Sequence, residues 1–162
     1  MVGHLNQWKN RHNYDNCRNS SGKYLSGRDC AKKLVPSFKK AHNDLYNLVP
    51  SVGELNGDRL NRRFGNIDNE PRNYGQCDFE IDFETDLTEP ADSIKGDIAR
   101  TYFYMIDQYN IPVSNDEKIQ FSHWNILDKV DIWECERTRR ISTVQGNSNR
   151  YVVQQREKLS DD

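Results

Sequence analysis

Four consecutive residues, Asn56-Gly57-Asp58-Arg59, set an amide oxygen, a position without a side chain, a carboxylate and a guanidinium side by side. The two oxygen ligands suit a hard cation, the guanidinium suits a phosphate, and the glycine lets another backbone come close. The same four residues also read as the wet face of a helix loosened by Gly57. They lie within NDLYNLVPSVGELNGDRLNRRF, residues 43–64. There, Pro50–Ser51 open a helix, and Leu48, Val52 and Leu55 give it an apolar spacing.

The elements that must hold this cluster come from a polar chain. Its 162 residues are enough for one domain with a core. Hydrophobic residues make up 35% and the mean hydropathy is -0.99, so three Trp, eight Tyr and six Phe must supply much of the buried area. Lys+Arg 23 against Asp+Glu 25 leaves a net charge of -2, which gives no global positive field. Binding of nucleic acid would need a local basic surface or a bound cation. No apolar run is long enough to span a membrane, and no basic-then-apolar leader opens the sequence.

Residues 1–16 have no periodicity and read as loop, as does the segment 18–29. From Ser37 a helix places Phe38, Ala41 and Leu45 on one face, and Pro50 ends it. Residues 65–75 are a Gly, Asn and Pro loop. From Cys77 to Phe83 the alternation of Phe79, Ile81 and Phe83 with Asp78, Glu80 and Asp82 predicts a strand with one buried and one acidic face. A helix from Ser93 carries Ile94, Ile98, Tyr102, Met105 and Tyr109, with Pro112 beyond its end. Ser114 and Glu117 have the spacing of a capping box for a helix bearing Ile119, Trp124 and Leu127. A last helix from about Ile132 to Val144 bears Trp133, Arg137, Ile141 and Val144 and stops near Gly146. The fold class is α+β, mostly helical with a small antiparallel sheet.

The central segment resembles the signature of the bacterial endonuclease I family, deoxyribonucleases of the ββα-metal type. Four further blocks follow in that family's order: Tyr74-Gly75-Gln76-Cys77, residues 96–105, Trp133-Glu134-Cys135-Glu136-Arg137, and residues 144–149. The resemblance covers about Cys17 to Val152. It implies one domain over residues 1–153, shortened at its N-terminus relative to the family, and a charged, disordered tail over 154–162. It also implies a periplasmic or secreted protein, a monomer without membrane contact, and a divalent cation such as Mg²⁺. DNA is the implied substrate, and RNA is a second one to consider.

Hydrolysis of a phosphodiester needs a base for the water, a cation for the developing charge and a donor for the phosphate. The resemblance assigns a metal ligand to Asn56 and a phosphate-binding Arg to Arg28, in the loop before Cys30. Counting back from Cys17 puts the family's general base at His4. There Gly3 stands in place of the family's Glu ligand, and Leu5-Asn6-Gln7 replaces its Val-Val-Pro. Glu54 or Asp58 could take over as the acidic ligand. His12, His42 and His123 match no position that carries chemistry. Asp128-Lys129-Val130 replaces an aromatic-Pro-Val run, a loop change of small expected cost. Gln145, Asn147, Asn149 and Arg150 could contact a phosphate backbone.

The four cysteines, Cys17, Cys30, Cys77 and Cys135, allow three pairings. The polar, Gly-containing stretch between Cys17 and Cys30 favours closing those two, which leaves Cys77 with Cys135. Four reduced thiols are the alternative. Three functions follow: a sequence-nonspecific, metal-dependent endonuclease; a catalytically impaired relative that binds nucleic acid or a cation without turnover; and a disulfide scaffold with neither role.

Overall fold

The computed structural model describes residues 17–69 and 71–160. Among them are seven α-helices: α1 (Gly27–Leu34), α2 (Pro36–Asn43), α3 (Gly53–Arg59), α4 (Lys95–Tyr109), α5 (Asn115–Leu127), α6 (Ile132–Gln145) and α7 (Arg150–Ser160). Three short strands, β1 (Arg63–Phe64), β2 (Phe79–Asp82) and β3 (Leu87–Pro90), lie between α3 and α4. The α+β, mostly helical class is therefore as read from the sequence.

Local chemistry accounts for most helix ends. The Ser114 and Glu117 side chains form both halves of a capping box on α5. Asp131 caps α6 through the Glu134 amide, and Gly146 ends it at φ 81°, a left-handed conformation that glycine adopts without strain. Asn110 closes α4 in the same region, just before Ile111-Pro112. Residues 154–160, read as disordered tail, instead continue α7. That helix is anchored by the Asn149 side chain, which accepts from the Tyr151 amide at 3.1 Å, and by Gln155, whose Oε1 accepts from the Val130 amide at 2.6 Å.

The sheet is mixed rather than antiparallel, in the order β1-β3-β2. β2 and β3 pair antiparallel with Glu80 opposite Glu89, while β1 joins the free edge of β3 in parallel, Arg63 opposite Leu87. The β2–β3 hairpin turns where the Asp82 carboxylate accepts from the amides of Glu84 and Thr85. The second face of β2 is not a wetted acidic one. Glu80 is buried beside Arg72, whereas Phe83, just past the strand end, is exposed.

The core is aromatic, as the composition requires. Tyr102 on α4 stacks on Phe121 of α5 at 4.2 Å between ring centroids, and Trp124 meets Phe121 edge-on at 5.8 Å. Phe38 and Ala41 of α2 join this core, but α2 ends at Asn43, before Leu45 and well short of Pro50. On α5 the apolar side chains that turn inward are Phe121 and Trp124. Ile119 and Leu127 face solvent.

Candidate functional site

None of the residues of α3 is buried. It begins at Gly53 rather than at Pro50–Ser51, and its expected apolar stripe turns outward, with Leu48 and Val52 exposed. The four-residue cluster divides by function. Asn56 is exposed, and among the described residues only its backbone is engaged: its amide donates to Val52 and its carbonyl accepts from Leu60. The side chains of Asp58 and Arg59 are turned to the body.

Asp58 accepts from the Tyr74 hydroxyl at 2.9 Å, and its carbonyl accepts from Arg62 Nη1. Burial, with the Asp58 carboxylate as accepting partner, pushes the Tyr74 phenol up to about 12. The bond therefore stays intact across the physiological range. Arg59 lays its guanidinium over the Phe64 ring at 4.2 Å, and its buried Nε has no hydrogen-bond partner among the described residues. Burial lowers its pKa from the ordinary guanidinium value. A phosphate partner for Arg59, read from the spacing, is thus replaced by a strut onto β1. Of the two carboxylates that could replace a lost acidic ligand, Asp58 is committed to Tyr74, and Glu54 is exposed in the first turn. Among the described residues no group of three or more His, Cys, Asp or Glu converges on one point.

The chain enters α3 through an irregular stretch fastened from behind. Arg137 of α6 donates through Nη2 to the carbonyls of Leu45, Tyr46 and Leu48 at 3.0, 3.2 and 3.1 Å. Buried Asp44 accepts from the hydroxyls of Tyr104 and Tyr109 at 2.7 and 2.6 Å and from the Tyr46 amide at 2.8 Å.

Cys17 and Cys30 form a disulfide with Cα atoms 5.1 Å apart, which closes the segment leading into α1. Arg28 is the second residue of that helix and is exposed. The structure shows no hydrogen bond or ion pair between Arg28 and any described residue of α3. His4 lies outside the described residues, as do Gly3 and His12. The remaining pairing differs from expectation, because Cys77 and Cys135 are free thiols. Cys77 sits exposed in the turn before β2, with its amide bonded to the Tyr74 carbonyl. Cys135 on α6 lines a groove with Val130, Ile132 and Arg156, and burial raises its pKa.

Parts of the other matched blocks are internal. Arg100 of α4 is fully buried and pairs with Glu134 of α6 through Nε at 2.9 Å and through Nη2, with Asp97 at 3.1 Å, and with the Asp128 carbonyl at 2.7 Å. Gly96 lies directly over this knot, and its amide donates to the Asp128 carboxylate at 2.8 Å. The 128–130 substitution, read as a loop change, therefore adds one side-chain acceptor, the Asp128 carboxylate, beside a buried cluster. Residues expected at a phosphate backbone are consumed here too. Asn149 is buried and donates to the Arg100 carbonyl. Asn147 donates to the Tyr104 hydroxyl at 2.7 Å, Gln145 accepts from the Leu45 amide at 2.9 Å, and exposed Arg150 pairs with Asp107 at 2.7 Å. Tyr74, which fastens α3, and Arg137, which fastens the stretch before it, were missed as contributors although both lie in matched blocks. Their type alone does not reveal an inward role.

Fold and site define a class first: an α+β domain that holds one uncommitted amide on a short exposed helix, with the neighbouring Asp and Arg acting as struts. The family model for Endonuclease I matches residues 9–156, and the chain belongs to the endonuclease I family. It is 45% identical over 115 residues to Endonuclease-1 of Buchnera aphidicola subsp. Acyrthosiphon pisum (strain APS), covering 71% of this chain and 46% of that protein. It is 38% identical over 129 residues to the periplasmic deoxyribonuclease of Aeromonas hydrophila, covering 79% of this chain and 54% of the relative. A match to an extracellular deoxyribonuclease of Aeromonas hydrophila is 37% identical over 129 residues, covering 79% and 55%. The chain thus spans about half the length of the curated relatives it matches.

Proposed function

We propose that this chain carries a sequence-nonspecific, metal-dependent endonuclease activity that hydrolyses DNA phosphodiesters, with RNA as a second substrate to test. The observation that carries the reading is Asn56, exposed and without a side-chain partner among the described residues, on a helix whose Asp58 and Arg59 are tied to the body. A neutral amide oxygen in that position fits Mg²⁺, which takes few protein ligands and keeps most of its waters. When bound, the cation would supply charge neutralisation at the phosphoryl oxygens. Asn56 would hold it and fix its place relative to α3. His4 would take the proton from the attacking water, and Arg28 would hold the phosphate. The names of the Aeromonas relatives support DNA as substrate and an exported location. The Cys17–Cys30 disulfide supports an oxidising compartment.

The test is cleavage of supercoiled plasmid by the purified chain with Mg²⁺ or with a chelator, comparing wild type with Asn56→Ala. Mg²⁺-dependent nicking that falls by about 10²-fold or more in the variant supports the reading. Cleavage that survives Asn56→Ala unchanged would remove the proposed ligand. A folded wild type that binds plasmid without nicking it would favour the impaired relative, for which Gly3 in place of the acidic ligand is the specific reason.

A further inference from the structure

We propose that Arg137 is a positioning residue for α3, holding the backbone in front of that helix at the angle that places Asn56. The proposal rests on the functional reading above insofar as it concerns cleavage. α3 has no buried residue, so apolar packing of its own side chains does not fix it. Its C-terminal half has two struts, Tyr74 on Asp58 and Arg59 on Phe64. Among the described residues its N-terminal half has no comparable strut: Val52 is the cap without a side-chain bond, and Leu48, Val49 and Val52 are exposed.

What holds that half is the chain before it. One nitrogen of Arg137 gathers three carbonyls from Leu45, Tyr46 and Leu48, and the guanidinium lies 5.8 Å from the centre of the Tyr46 ring and 5.7 Å from that of Trp133. Two of these carbonyls belong to the single 3₁₀ turn Leu45–Asn47, and the third, on Leu48, is the first beyond it. Arg137 itself is carried by α6, whose neighbouring Glu134 is locked into the buried knot with Arg100. A rigid helix thus reaches across to the one stretch that aims the exposed helix. Small errors in such aim are expensive in catalysis, because a ligand displaced by about 1 Å can cost on the order of 10²-fold in rate.

The experiment compares wild type, Arg137→Ala and Arg137→Lys by amide hydrogen exchange and by plasmid nicking across a Mg²⁺ titration, with and without millimolar guanidinium. The expected result is exchange about tenfold faster or more over residues 49–59 in Arg137→Ala, with α4 and α5 amides unchanged. Half-maximal nicking then needs more Mg²⁺, and added guanidinium or the Lys variant restores part of the loss. Unchanged exchange over 49–59, or a uniform rise across the whole chain, overturns the positioning role. Wild type that does not nick plasmid at any Mg²⁺ concentration overturns the functional reading instead, and the exchange pattern still decides what Arg137 holds.

Discussion

The buried knot around Arg100 and the exposed helix α3 are built from blocks of the same family pattern, yet they meet opposite physical demands. In the knot, a guanidinium without solvent contact is satisfied by Glu134, Asp97, the Asp128 carbonyl and, more weakly, Asn125 and Gln155. On α3 the Asn56 side chain has no protein partner among the described residues. Removing either ion from the knot leaves its partner charged and dry, which is severe. Removing the amide from α3 leaves nothing unsatisfied. The difference teaches that sequence blocks of one family divide into fasteners and presenters, and that stability and activity should respond to different members of the set.

Substitutions can break or sharpen that contrast. The largest effect is expected for Arg100→Leu, which strands Glu134 and Asp97 in the interior and should cost about 3–5 kcal/mol in urea unfolding. A loss under about 1 kcal/mol would mean that the knot is wetter than its burial indicates. Next comes Gly96→Ala. An added Cβ would lie 2.1 Å from the Asp128 carbonyl oxygen and 2.7 Å from Arg100 Nη1, so the knot must open, at about 3 kcal/mol. Soluble expression and thermal midpoint read this out.

Asp97 supplies a pH test of the same region. Burial, and then the neighbouring Glu134, push its carboxyl up to about 8, whereas in the unfolded chain it ionises at about 4. The fold therefore holds this proton more tightly than the unfolded chain does. Stability is full below about pH 4 as far as this group is concerned and is lost as pH rises to about 8. The thermal midpoint of Asp97→Asn should be flatter than wild type over that window, and equal slopes would contradict the assignment. The smallest effect belongs to Asn56→Ala, whose unfolding free energy should stay within about 0.5 kcal/mol of wild type. If that change destabilised the fold, α3 would be a fastener after all.

How much of this was legible follows the range of the forces involved. The capping box at Ser114, the Gly146 stop and the period of α4 are set within one or two helical turns, so a single sequence shows them. β1 depends on a partner more than 20 residues away, and with two residues it is too short to carry a period. Residues 154–160 read as a charged tail because the apolar anchors of α7, buried Val152 and Tyr151 with its ring against Phe103, lie in its first turn, whereas Gln155 holds the body through a polar side chain. The same ambiguity hides the site. Asn147 and Asn56 are alike as residue types, and only their partners in the fold separate an internal bridge from an exposed side chain. Asn56 is singled out because the motif around it is long. Tyr74 and Arg137 act through backbone and carboxylate partners that no spacing announces.

Gln155 and Asn149 carry one more consequence. The acceptor for the Val130 amide and the donor to the Arg100 carbonyl both come from near the end of the described chain. A nascent chain emerging from its N-terminus must keep α4 and α6 waiting, with Arg100 incompletely enclosed, until residues beyond 149 have left the exit. Enclosure of Arg100 is therefore ordered along the chain, because α4 waits for side chains 49 and 55 positions further on.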